Sequence, residues 1–128
     1  MSKSKDASVF PILRGESVSE AGEFSGRAVL VCNPKEIERD WTSDSIPVLH
    51  HDLESYFNEN PSSMKQLFEK VTAIIAEFGE AIGLFATYAT QHGNIAIVKV
   101  ADATHVLEND MHIRVEAAEN QGDVFFID

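Results

Sequence analysis

His50-His51-Asp52 is the densest grouping of reactive side chains in the sequence, and it directly follows the apolar run Ile46–Leu49. An imidazole can carry a proton, a metal ion or a transferable group near neutral pH. Adjacent residues on a strand point to opposite sides, however, so sequence alone does not aim His50 and His51 at one ion, and no metal ligand is assigned. Solvated loop histidines fit the pattern as well. His92 stands just before Gly93, where a helix should end and a cationic side chain suits the helix dipole. His105 and His112 read as a turn residue and a solvent-facing strand residue. Neither has a Glu-x-x-His or cysteine partner at metal-binding spacing. A second grouping lies further on. Glu77 and Glu80 flank Gly79, with Gly83 shortly after, and these four residues form a candidate ligand-binding loop. The two carboxylates could act as an acid–base pair or cap the helix that follows. The loop lacks the lysine of a phosphate-cradling Gly-x-x-x-x-Gly-Lys motif. No cofactor follows from these residues. Cys32 is the sole cysteine, so the chain cannot form an internal disulfide or a multi-cysteine zinc site. Its apolar neighbours predict a buried structural thiol.

The segments around these groups read in order as follows. Residues 1–8 are polar and charged and form a terminal tail; residues 9–128 make a single domain. Val9–Leu13 is a short apolar strap or edge strand broken by Pro11. Gly15–Gly26 is rich in Gly, Ser and Glu and reads as loop. Arg27–Cys32 is a strand buried on both faces, stopped by Asn33-Pro34. Residues 35–44 are a helical turn or an exposed loop containing Trp41. Ile46–Leu49 is a strand whose Pro47 places it near an edge or a strand start. Met64, Leu67, Phe68, Val71, Ile74, Ile75 and Phe78 recur at helical spacing, which predicts a helix over 62–78, with Ser63 and Gln66 as a capping box. The β-branched run within 72–76 also permits a helix ending near Lys70 and a strand over 72–76. Leu84–Ala89 reads as a short helix, and Ile95–Val98 as a strand. Asp102 caps a helical turn. Met111–Glu116 alternates as a half-buried strand, residues 120–123 turn, and Val124–Ile127 closes the chain as a strand.

Bulk properties narrow the classes. A 128-residue chain with 44% hydrophobic residues can bury one core. The net charge of −11 argues against a nucleic-acid footprint and against anionic membrane surfaces, and serves solubility. No apolar run approaches the roughly 18 residues of a membrane span. The N-terminus has no secretory apolar core, so a cytoplasmic protein is expected.

Several segments, in order, resemble the swivelling phosphohistidine domain of phosphoenolpyruvate-utilising enzymes such as pyruvate phosphate dikinase, phosphoenolpyruvate synthase and enzyme I of the sugar phosphotransferase system. Ser25-Gly26-Arg27-Ala28-Val29-Leu30-Val31 is similar to that family's early strand entry. Residues 73–79, 89–98, 103–110 and 115–124 resemble its later segments. The resemblance implies an α/β fold, the β/β/α swivelling domain, with a small curved sheet core and flanking helices. It also implies that 72–76 is a strand. Aligned on Gly93, the family's phosphorylated histidine falls on Leu84 and the preceding serine on Gly83, while Glu80, Thr90 and Ile95 replace other motif residues. Leucine cannot carry a phosphoryl group. The resemblance therefore implies a non-catalytic, stand-alone relative that binds a protein partner with kinase-like or phosphoenolpyruvate-binding domains. Its alternatives are a phosphoryl carrier using His50, His51 or His92, and a phosphometabolite-binding module beside Gly79 and Glu80.

Overall fold

The computed structural model describes residues 10–19, 21–78 and 84–127, without the side chains of 84–86. The chain runs β1 (Leu13–Ser17), β2 (Gly22–Val31), a short 3-10 helix (Pro34–Glu38), β3 (Ser45–Leu49), α1 (Leu53–Glu59), α2 (Pro61–Lys70) and β4 (Ala73–Ala76). It continues through α3 (Leu84–His92), β5 (Ile95–Val98), α4 (Ala103–Val106), β6 (His112–Ala118) and β7 (Gln121–Phe126). The strands close into a seven-stranded barrel in the order β1-β5-β4-β3-β2-β6-β7. Strands β2 to β5 are mutually parallel, while β6, β7 and β1 run antiparallel to their neighbours.

The closed, mostly sheet barrel corrects the expectation of an α/β swivelling domain with a small curved sheet core and flanking helices. β1 is the cause of closure. It pairs with β7 through Leu13, Arg14 and Gly15, and with β5 through Glu16 and Ser17. The segment 15–26, expected to be loop, thus supplies part of β1 and the start of β2. Gly15 and Gly26 are there because other backbone approaches them closely, not because the chain turns. A Cβ on Gly15 would collide with the carbonyl oxygen of Val98 and sit 2.6 Å from Val100 Cγ2. Among the described residues closure leaves no unpaired sheet edge, which is otherwise an aggregation liability.

The parallel strands β3, β4 and β5 are buried on both faces. Ala73 and Ile75 point into the barrel, where they pack with Ile46, Val48, Ile97, Ile113, Val115 and Val124. Ile74 and Ala76 point outward against Leu53, Phe57, Met64, Leu67 and Phe68 of α1 and α2. This double burial explains the continuous apolar runs in the sequence. Pro47 is tolerated because it faces Val29 of β2 one residue ahead of the point where β4 begins to pair, at Val48.

Of the two readings of 62–78, the structure has the second: the helix ends at Lys70, and 73–76 is a strand. Val71 leaves the helix at φ −127°, ψ 166°. The amide nitrogen Nδ2 of Asn94 donates to the carbonyls of Phe68 (3.1 Å) and Val71 (2.6 Å), giving the helix end the partners it lacks. Asn94 is itself fixed because α3 ends with Gly93 at φ +71° and the Asn94 N–H reaching back to the Ala89 carbonyl. At the start of α2 the helix begins on Pro61, so Ser63 lies inside the first turn and forms no capping box. Helix α1, between the histidine cluster and Pro61, buries Leu53 and Phe57, four residues apart on one side.

Candidate functional site

The parallel strands deliver their carboxyl ends to one rim of the barrel. Cys32 follows β2, His50 and His51 follow β3, Glu77 follows β4, and the segment after β5 brings in Thr104. The ladder runs one residue past the assigned strands. The His50 N–H bonds the Val31 carbonyl at 3.0 Å and the Glu77 N–H bonds the Leu49 carbonyl at 3.0 Å. The chain then turns into α1, with the Leu53 and Glu54 N–H groups on the carbonyls of His50 and His51.

Glu77 is the centre of the group. Its side chain is only 4% exposed, and both oxygens are filled. Oε1 accepts the His51 backbone N–H at 2.9 Å and lies 3.0 Å from His51 Nδ1. Oε2 accepts the Thr104 N–H and the Thr104 hydroxyl, each at 2.7 Å. Burial opposes ionisation of this carboxyl, but the hydrogen bonds from Thr104 and His51 outweigh it and bring the pKa down from 4.5 to about 2. An ionised carboxylate can only accept, so His51 Nδ1 must be the protonated nitrogen of the ring. The lone pair of neutral His51 is thereby assigned to Nε2. The ring is 65% exposed, and Nε2 lies 3.4 Å from Asp52 Oδ1.

His50 is fixed in the opposite sense. Its Nδ1 accepts the Asp52 backbone N–H at 3.0 Å, which puts the proton of the neutral ring on Nε2. The two imidazoles stack with centroids 4.0 Å apart and planes inclined by 29°. The expectation that neighbouring histidines diverge therefore fails. They lie just beyond the strand, where the backbone has left the pleat and begun the turn into α1.

Cys32 is exposed, which corrects the buried thiol read from its neighbours. β2 ends one residue earlier, at Val31, and the Cys32 N–H is held by Glu36 Oε1 at 2.7 Å. Partial burial, then the charges of Glu36 and Glu77, push the thiol pKa up, which disfavours the thiolate needed of a nucleophile. Among the described residues no lysine or arginine pairs with Glu36, Asp52 or Glu77. The rim is an acidic site carrying imidazoles.

The loop that brings Thr104 in is strained. Lys99 (φ 58°) and Asp102 (φ 63°) both adopt the left-handed region, at a cost of about 1 kcal/mol or more each. Asp102 precedes α4 as the sequence predicts, but its side chain makes no cap bond. Thr104 is the functional residue that sequence reading missed as a site; it lies 27 positions from Glu77 with no local motif to join them. Of the other candidates, His92 closes α3 on the surface and takes no part in this group. Gly79, Glu80 and Gly83 lie outside the described residues, as does the side chain of Leu84.

No protein-family model matches the sequence, and no curated protein matches it. Among solved structures, the fold is similar to a UPF0107 protein studied by solution NMR, with a TM-score of 0.60, 14% identity, and coverage of 89% of this chain and 97% of that one. It is also similar to a chain of Thermococcus kodakaraensis aconitase X in its holo form, with a TM-score of 0.56, 18% identity, and coverage of 88% and 96%. At these identities the likeness is one of fold. It overturns the resemblance to the phosphoenolpyruvate-utilising swivelling domain and the non-catalytic relative implied by it, and it lends no support to the relocated carrier or the phosphometabolite module. In fold, the chain stands with aconitase X and a UPF0107 protein rather than with the swivelling domains.

Proposed function

We propose that this chain carries a general acid–base site for an enzymatic reaction, with His51 Nε2 as the group that exchanges the proton. The observation that carries this reading is the contact between His51 Nδ1 and the buried Glu77 carboxylate at 3.0 Å. A histidine so held has its tautomer set and its ring oriented; Glu77 is the orienting member of the pair. Thr104 is a positioning residue that keeps the carboxylate ionised and immobile through its two donors. The acidic rim favours a neutral or cationic reacting group over a phosphate. One fold neighbour, aconitase X, bears the name of an enzyme, which supports an enzymatic use of this barrel.

The test is residue-mapped acylation with diethyl pyrocarbonate, read by mass spectrometry on wild type and Glu77→Gln. His51 is expected to react at Nε2, and to slow several-fold in Glu77→Gln because the neutral amide no longer stabilises the acylimidazolium. His92 and His105 serve as exposed references whose rates should not change. Equal rates at His51 in the two proteins, with both folded by circular dichroism, would overturn the reading.

A further inference from the structure

We infer that the rim also holds one divalent transition-metal ion, with His51 Nε2, the Asp52 carboxylate and His50 Nδ1 as protein ligands and Glu77 behind them. The ligand atoms of the three residues all lie within 4.8 Å of one another. Two nitrogen or oxygen ligands at about 2.1 Å from a tetrahedral ion stand about 3.4 Å apart. His51 Nε2 and Asp52 Oδ1 already have that separation, 3.4 Å, and His50 Nδ1 lies 3.7 Å from Asp52 Oδ2. Glu77 completes the pattern from outside. A metal-bound histidine ordinarily donates its other ring N–H to a carboxylate or a carbonyl, which fixes the ring and makes the ligating nitrogen more basic. His51 Nδ1 on Glu77 Oε1 is that arrangement, built before any ion arrives.

The donor set selects the ion. Two imidazoles and one carboxylate suit zinc, cobalt or nickel over the all-oxygen preference of magnesium and calcium. The surrounding acidic charge, with Glu36 nearby and no basic partner among the described residues, favours a cation. Some rearrangement is required. His50 must release the Asp52 N–H from its Nδ1, and the stacked rings must splay so that both lone pairs converge. Asp52 is 76% exposed and His51 65% exposed, so neither side chain is locked by packing. Three protein ligands leave a fourth position open to water or substrate, which is the form of a catalytic rather than a structural site.

The inference rests on the reading of His51 given above, since it uses the same Nε2 lone pair; the ion and the proton compete for it. Calorimetric titration of the full-length, chelator-treated protein with Zn2+, and the visible absorption of Co2+, provide the test. One equivalent is expected to bind. His51→Ala and Asp52→Asn should each weaken binding by tenfold or more, and Glu77→Gln by about 10- to 100-fold through the lost outer partner. His92→Ala and His105→Ala should bind as wild type does. Absence of saturable binding of one equivalent, or undiminished binding by folded His51→Ala, overturns the metal site. Ring-nitrogen NMR of the metal-free protein separates the two readings. A protonated Nδ1 without metal binding sinks only the ion, whereas a protonated Nε2 sinks the acid–base reading as well.

Discussion

Glu77 stores pH dependence in four hydrogen bonds. Its folded pKa of about 2 lies below the ordinary 4.5, so its ionised form stabilises the fold. That contribution is fully present above about pH 4.5 and is lost as pH falls toward 2. Chemical denaturation across this range should show stability declining on acidification, and Glu77→Gln should flatten that part of the profile. At neutral pH the same variant leaves one of the backbone donors of His51 and Thr104 without an oxygen, at about 1–3 kcal/mol. Thr104→Val should cost about 1.5–3 kcal/mol and Thr104→Ser much less, since serine keeps the hydroxyl that valine lacks; denaturant midpoints compare the three. At this scale the sequence was half legible. His50, His51, Asp52 and Glu77 could be picked out as reactive types beside strand ends. Their pairing could not, because Glu77 meets His51 across 26 positions and Thr104 across 27. Only the parallel register of β3 and β4, and the strained turn after β5, bring them together.

At the scale of elements, tight approach explains what patterning missed. Gly122 of β7 stands against Ile97 of β5 across the barrel, where an added Cβ would be 2.5 Å from Cγ1 and 2.6 Å from Cγ2. Ile97 is fully buried and cannot yield. Gly122→Ala should therefore destabilise by about 1–3 kcal/mol through overpacking, measured as a fall in denaturation midpoint. Phe57 of α1, with no exposed surface, should cost about 3–5 kcal/mol on truncation to alanine. The strands β3 and β5 were readable because two buried faces leave an unbroken apolar run. β1 and the start of β2 were not, because small and polar residues there look like loop until the barrel supplies the partners that need them small. The helical spacing through 62–78 misled for a related reason. A strand buried on both faces imposes no polar interruption, so Ile74 and Ile75 extend a helical pattern by accident.

Over the whole molecule, closure of seven strands into one barrel is what separates this fold from the small curved sheet with flanking helices that local motifs suggested. Those motifs report strand and turn chemistry, which barrels and open sheets share; the difference lies in β1 bridging β5 and β7. Two amides report it. Ile12 N–H bonds Val124 of β7, and Val18 N–H bonds Ala96 of β5. Hydrogen exchange should find both protected, and rapid exchange of either would mean an open sheet. Closure also sets the rim that carries His51, by holding the ends of β3 and β4 in register. The role of His51 is open to a direct check, the two-bond nitrogen–proton NMR spectrum of its ring in the neutral form. The expected spectrum has the proton on Nδ1, facing Glu77, and the lone pair on Nε2; a proton on Nε2 would rule out the acid–base site built on this pair.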